Sequence, residues 1–240
     1  MDRARRIPCD HGCRLSSLCA HRCSSVVSVR RATFCCKSLD SPGPFHDNHP
    51  VKLSPTDTPV LLPKLSRAFF FALRRCGIPP TRFVLAASVA TQRMALFERI
   101  PRGPGYFFRR TFRISTSRFG IGQMQGSNST PLGLHRVARK LGGGHPIGTV
   151  FKFRRPIGLT WQGMAKGAIA HRILWLEGLE PGLNRGGTVD TFRRYVYIHG
   201  FGDEPTLGRP MSCGCIHLAA GDLMPLYEKL PPGTLVWIFP

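Results

Sequence analysis

The distribution of apolar and polar positions changes character near residue 81. Upstream, apolar side chains cluster only over Ala68–Leu73 (AFFFAL), which predicts a short helix stopped by Gly77-Ile78-Pro79-Pro80. Downstream, short apolar runs alternate with Gly, Pro, Asn and Ser, as strands do between turns. Arg82–Ala90 predicts a buried strand, and Arg93–Glu98 should pair with it across a tight turn. Thr111–Ser117 alternates, with Phe112 and Ile114 on one face. Further strands are expected over Leu134–Ala138, His171–Glu177, Phe192–His199 and Thr234–Phe239. Asp222–Lys229 predicts a second helix, with an acidic start and a Pro-Pro-Gly stop. Many short strands and few helices point to a mainly β, β-sandwich-like domain with a few short helices.

This division sets the domain plan. Residues 82–239 form the folded domain, 64–80 a short helix and turn, and 1–63 a disordered extension that ends in the Pro-, Asp- and Ser-rich linker Ser41–Pro63. Cysteine is concentrated in the extension: Cys9, Cys13, Cys19, Cys23, Cys35 and Cys36. Cys9-Asp10-His11-Gly12-Cys13 and Cys19-Ala20-His21-Arg22-Cys23 form a small repeat, but C-x-H-x-C is not a structural-zinc spacing, and no metal is expected there. A secretory signal needs an apolar stretch of about 7 to 15 residues, which does not follow the basic start. No stretch reaches the ~18 apolar residues of a membrane span. One reading covers these features: residues 1 to about 50 lie upstream of the true start, which N-terminal sequencing of the native product would test, an intact Met1 refuting it.

Charge adds a question about partners. The 240 residues carry 34 Lys and Arg against 13 Asp and Glu, a formal +21. Residues 1–80 hold 13 against 5 and residues 81–240 hold 21 against 8, so the excess is spread over the whole chain. No positive stripe interleaved with aromatics accompanies it, so nucleic acid is not an expected partner, and the salt dependence of DNA affinity is the test. Trp161, Trp175 and Trp237 are read as core or groove packing, and Arg154-Arg155 and Arg193-Arg194 as solvated surface.

The candidate chemistry sits in two neighbouring segments. Tyr195-Val196-Tyr197-Ile198 runs into His199-Gly200, and after a loop comes Met211-Ser212-Cys213-Gly214-Cys215-Ile216-His217. A thiol and an imidazole on adjacent loops can act as nucleophile and base, the imidazole taking the proton and the thiolate attacking a carbonyl. Gly214, lacking Cβ, lets the backbone turn and present consecutive amides beside Cys215 as an oxyanion hole needs. Three other readings stand beside this one. Cys215 could be a buried apolar residue, His217 could be the base, or Cys213, Cys215, His217 and His199 could hold a metal, although C-x-C-x-H is tight for tetrahedral zinc.

These residues resemble the catalytic domain of the YkuD-type L,D-transpeptidases, bacterial cell-wall enzymes. The family pattern is a His-Gly after a strand, a loop, S-H-G-C-[IV]-R, a short helix and a closing G-T-x-V-x-I strand. The matching stretches are YVYIHG, Leu207-Gly208-Arg209-Pro210, SCGCIH and GTLVWI, and Asn128-Ser129-Thr130-Pro131-Leu132-Gly133 resembles the family's T-P-x-G turn. The resemblance runs from about residue 82 to 239.

It implies Cys215 as nucleophile and His199 as general base and acid, oriented by the Gly200 carbonyl, with backbone amides around Cys213 and Gly214 as oxyanion hole. Ser212, His217 and Tyr197 are the implied substrate-binding residues. The implied reaction attacks the L-to-D peptide bond of a peptidoglycan stem tetrapeptide, expels D-alanine, and passes the acyl group from a thioester to a neighbouring stem's amine, with no cofactor and no metal. Location in the periplasm or cell envelope follows from the same resemblance. Two departures stand out: Cys213 replaces the family's His, and His217 replaces its Arg. Water in place of the amine would make the enzyme an L,D-carboxypeptidase, and loss of turnover would leave a non-catalytic envelope-binding module.

Overall fold

The computed structural model describes residues 64–202 and 204–240. The cysteine and histidine repeat, the linker and the question of the start lie outside the described residues. The expected first helix is α1 (Arg67–Arg75). Ser66 caps it, its hydroxyl accepting from the Phe69 amide at 3.3 Å, and its inner face buries Phe69, Ala72 and Leu73. Ten strands and a second helix follow: β1 (Phe83–Ser88), β2 (Arg93–Arg99), β3 (Tyr106–Ser115), β4 (Gly133–Leu141), β5 (Thr149–Lys152), β6 (Arg155–Leu159), β7 (Ala170–Gly178), β8 (Tyr197–Gly200), β9 (Ile216–Leu218), α2 (Ala220–Lys229) and β10 (Leu235–Phe239). The domain is mainly β, as the pattern of runs predicts.

The strands lie in the order β4-β10-β1-β2-β3-β9-β8-β7, and β7 also pairs with β4, which joins the two ends of the sheet. The β5–β6 hairpin hangs from β7. Two pairs are parallel, β1 with β10 and β8 with β9. The main core lies between the sheet faces and under α2, built from Leu85, Met94, Ile114, Leu174, Ile198, Ile216, Leu223 and Val236. A second cluster on the other side of β1 takes the inner face of α1, with Phe69 edge-on to Trp237 at 6.1 Å. No helix among the described residues is long and apolar enough to cross a membrane.

Departures from the sequence expectation have local causes. The run Phe192–Val196 is not strand: Tyr195 takes φ 57°, and the chain turns until Tyr197. Strand β9 has three residues and no readable period. The segment 142–148 turns, with φ 98° at Gly142 and 78° at Gly144, and it feeds the hairpin β5–β6, which the apolar pattern does not announce. Trp175 is buried, whereas Trp161 on the far side of that hairpin is 58% exposed and packs into no core. Trp237 is partly buried beside α1.

Candidate active site

The parallel pair β8–β9 builds the site. Its register sets Ile198 opposite Ile216 and His199 opposite His217. Both isoleucines are fully buried in the main core. Side chains alternate along a strand, so Tyr197, His199, Cys215 and His217 share the opposite face. A parallel pair also brings both C-terminal ends to one end of the sheet, with loop 201–215 as the crossover. Cys215 sits one pleat before His217. With strands ~4.8 Å apart and a two-residue rise of ~6.6 Å, the Cα atoms of Cys215 and His199 lie on the order of 8 Å apart, which allows their side chains to converge.

His199 is buried, and its ring Nδ1 lies 2.7 Å from the Gly200 carbonyl oxygen. A carbonyl only accepts, so Nδ1 carries the proton and Nε2 keeps its lone pair. Burial pushes the His199 pKa down to about 4; the bond to Gly200 works the other way, and His171 adds a small lowering. The imidazole is therefore neutral at pH 7, as a general base must be. Gly200 has no room for a side chain: a Cβ there would lie 2.3 Å from His171 Cδ2 and 2.9 Å from the Ala170 carbonyl oxygen.

His171 itself sits in an irregularity of β7 between Ala170 and Ile173, with φ 70°. That bulge re-aims its ring onto the back of Gly200, and its Nδ1 accepts from the Gly148 amide at 2.8 Å.

His217 meets His199 ring to ring at 4.8 Å and Phe201 at 4.2 Å. Burial, and secondarily His199, hold its pKa far below the usual imidazole range. Its Nδ1 is buried without a hydrogen-bond partner. His217, an implied substrate-binding residue, is here a neutral ring packed beside the base.

Cys215 is half-buried. Its Sγ accepts from the Tyr197 amide at 3.4 Å and donates to the Tyr195 carbonyl at 3.6 Å, so the backbone of β8 and the turn before it hold the thiol. Tyr197 is buried edge-on to Trp175 at 5.5 Å, and its phenol is pushed up to about 12, chiefly by burial.

The turn that carries Cys215 is pinned on several sides. Gly214 takes φ 115°, and a Cβ on it would meet the Ser129 carbonyl oxygen at 3.2 Å. The Ser212 hydroxyl donates to the Cys215 carbonyl at 2.6 Å and accepts from the Gly214 amide at 3.2 Å. Ser212 is thus buried and engaged by its own turn, and the Gly214 amide, an expected oxyanion donor, points to Ser212 in this resting arrangement. Thr130 donates to the Gly214 carbonyl at 3.2 Å and accepts from the Ser117 amide at 3.0 Å. Met211 and Ser212 amides both donate to the Thr116 carbonyl at 2.9 Å. Cys213 is exposed at the apex. Among the described residues no group of three or more His, Cys, Asp or Glu side chains comes together to suit a metal ion.

Sequence reasoning missed Arg194. Arg193 is exposed, as expected of solvated surface, but Arg194 is half-buried and hydrogen-bonded to the 122–129 loop. Arg154 is likewise engaged, its guanidinium 4.7 Å over the Tyr195 ring and 5.2 Å over Trp175. A pair of consecutive arginines carries no signal in sequence to tell these roles from a solvated one.

A family model for the L,D-transpeptidase catalytic domain, YkuD, matches residues 83–238. No curated protein matches the chain. Similar solved structures include an L,D-transpeptidase from Mycobacterium smegmatis, 14% identical over 66% of this chain and 59% of that one, with TM-score 0.38. Another is L,D-transpeptidase 3 from Mycobacterium tuberculosis in complex with a faropenem-derived adduct, 16% identical over 66% and 60%, with TM-score 0.39. A third is an L,D-transpeptidase from Xylanimonas cellulosilytica, 16% identical over 70% and 68%, with TM-score 0.38. The chain spans 59% of the length of the first of these.

Proposed function

Because the chain belongs to the YkuD family of L,D-transpeptidase catalytic domains, we propose that it is a cysteine-dependent acyltransferase acting on peptidoglycan stem tetrapeptides and forming cross-links. The observation that carries this reading is the pairing of two fixed groups on one face. The Cys215 thiol is held by β8 backbone, and His199 is held by the Gly200 carbonyl with Nε2 available.

In the proposed reaction His199 Nε2 takes the Cys215 proton, and the thiolate attacks the carbonyl of the L-to-D peptide bond. Negative charge develops on the carbonyl oxygen beside the Cys213–Cys215 turn, where one amide donor is worth ~2.7 to 4 kcal/mol of barrier. The Gly214 amide would exchange its Ser212 partner for that oxygen. Collapse breaks the C–N bond, the D-alanine amine leaves with the proton held by His199, and a thioester remains on Cys215. The amine of a second stem then attacks the thioester, gives a proton to His199 and releases the thiolate. Tyr197 is too deeply buried to offer more than a wall, so contact with the stem falls to the surface above it. The cell envelope is the proposed location, because that is where such a substrate lies.

Incubation with a stem tetrapeptide followed by intact-protein mass spectrometry tests the reading. The expected result is a covalent acyl adduct that disappears in Cys215→Ala. No adduct with well-folded protein at any pH from 5 to 9 would favour a non-catalytic envelope-binding module.

A further inference from the structure

Four large apolar side chains left exposed belong to one short stretch of chain: Ile147 at 47%, Phe153 at 54%, Ile157 at 47% and Trp161 at 58%. The hairpin β5–β6 groups them. Its strand β6 is the outermost of the sheet, so the hairpin stands at the margin. Its inward groups Val150 and Phe151 are buried, which leaves the other four facing solvent. At the base the Thr160 amide donates to the Gly148 carbonyl at 2.9 Å, and the Trp161 ring lies so close to Gly148 that a Cβ there would stand 2.1 Å from its Cζ3. Trp161 is thereby held beside Ile147. Ile157 falls at the register shift opposite Val150 and Phe151, and Phe153 stands in the turn at the tip, with φ 51°.

Exposed apolar groups gathered in this way mark a contact surface. The charge around them selects the partner. No Asp or Glu occurs between Glu98 and Glu177, whereas residues 142–169 carry Lys152, Arg154, Arg155 and Lys166. The loop that meets this segment, where the Gly202 amide donates to the Gly167 carbonyl at 3.1 Å, brings Asp203 and Glu204, and the Glu204 carboxylate accepts from the Ala220 amide. A second copy of the chain fits poorly, because a two-fold contact sets these cations against one another. Pro156, on the edge strand, also has no amide to offer an added strand. A soluble polyanion would satisfy the cations and leave the four apolar groups in water. An anionic bilayer supplies both partners: headgroup charge for Lys and Arg, and beneath it an apolar layer for Phe, Ile and Trp.

We propose that the β5–β6 hairpin docks the chain on the surface of a bilayer containing anionic lipid, with Phe153, Ile157 and Trp161 entering the boundary between headgroups and acyl chains. The contact lies on the membrane and does not span it, and it stands apart from the acyl-transfer reading. Arg154 links it to the candidate site. Its guanidinium lies 4.7 Å over the Tyr195 ring, and the Tyr195 carbonyl accepts from the Cys215 thiol, so a docked hairpin holds that thiol near the lipid surface.

The test is flotation of the full chain with vesicles of phosphatidylcholine alone or mixed with phosphatidylglycerol, at about 0.1 M salt. The chain should float with the mixed vesicles and not with the neutral ones. Phe153→Ser and Trp161→Ser should each lower the partition coefficient about tenfold, and Arg155→Gln about fivefold. Phe71→Ser, which removes a phenylalanine 58% exposed on α1, should leave it unchanged. Tryptophan emission should be quenched by lipids brominated on the acyl chain, and Trp161→Phe should still bind while losing that quenching.

Failure to float with the mixed vesicles overturns the proposal. So does flotation undiminished in a folded Phe153→Ser/Trp161→Ser double variant, which would assign the binding to charge spread over the whole chain. If that variant does not fold, quenching that persists in Trp161→Phe overturns the insertion. A polyphosphate chain that binds in solution as tightly as the mixed vesicles, with the same loss in Phe153→Ser and Trp161→Ser, would make the hairpin a polyanion site and overturn the lipid assignment. No arm uses a peptide substrate, so the outcome is independent of whether Cys215 forms a thioester.

Discussion

His199 and His217 face each other across the β8–β9 register with ring centroids 4.8 Å apart, and only His199 has its Nδ1 held, by the Gly200 carbonyl. The unpartnered Nδ1 of His217 leaves its tautomer unset, and a base must present a defined nitrogen. His199→Ala should lower the rate of thioester formation by about 10²- to 10⁴-fold. His217→Gln should retain most of it, together with a lower limb of the pH–rate profile near His199's value of about 4. Single-turnover mass spectrometry against pH separates the two; a lower limb lost in His217→Gln and kept in His199→Ala would exchange their roles.

The orientation of that base depends on the absence of a side chain at residue 200. A Cβ would overlap His171 Cδ2 at 2.3 Å, so Gly200→Ala must move either the His171 ring or the carbonyl that holds His199. Overpacking of this kind typically destabilises by about 1 to 3 kcal/mol. Thioester formation should fall at least tenfold at saturating peptide, and His171→Ala in the same chain should restore part of it. Equal stability and equal rate in Gly200→Ala would show that His171 does not hold this carbonyl in place.

What could be read beforehand follows from how local each signal is. The alternation of Phe112 and Ile114, the stop of α2, and the H-G and C-G-C spacings are carried by neighbouring residues, and the structure has elements where they fall, although α2 starts at Ala220, before Asp222, with Ala219 at its N-cap and no side-chain cap. The pairing of β8 with β9 is not local, since β9 is three residues long and joins a strand across loop 201–215. The turn at Tyr195 and the bulge at His171 depend on positive φ in residues that rarely adopt it, so sequence periodicity points to strand instead. Arg194 was missed because its four acceptors are mostly backbone carbonyls, which any residue supplies.

Thr130 joins three segments through one hydroxyl, accepting from the Ser117 amide and donating to the Gly214 carbonyl while fully buried. Thr130→Val keeps the shape and strands both partners, which should destabilise the domain by about 1 to 3 kcal/mol. Chemical denaturation measures that loss. Thioester formation should slow as well, because the Gly214 carbonyl belongs to the turn that carries the nucleophile, and Thr130→Ser should recover both. A stability loss with an unchanged rate would separate this bond from the positioning of Cys215.

Cys213, where the family has histidine, is exposed at the apex of the turn. Cys213→His should change stability by no more than about 0.5 kcal/mol. An imidazole supplies a stronger hydrogen-bond donor than a thiol beside the developing oxyanion, so turnover should rise. Comparison of single-turnover rates and melting temperatures in the two forms is the check, and an unchanged or lower rate would show that the chain's own thiol serves the site as well.

Buried histidines also tie stability to pH. His135 is enclosed between the Gly133 carbonyl at 3.0 Å and the Thr191 hydroxyl at 3.2 Å, and burial pushes its pKa down to about 4, as it does for His199. Unfolded imidazoles titrate near 6.5. Between these values the unfolded chain binds more protons than the folded one, so stability must fall as pH falls through that window. Above pH 6.5 the full stability is present, and below about 4 no further loss comes from these two groups. A shift from 6.5 to about 4 corresponds to an upper figure of about 3 kcal/mol for each. The urea midpoint should therefore drop from pH 7 to pH 4.5, and a folded His135→Gln should show a shallower drop because its side chain does not titrate. A midpoint that is flat across this range would mean that neither imidazole stays neutral in the folded protein.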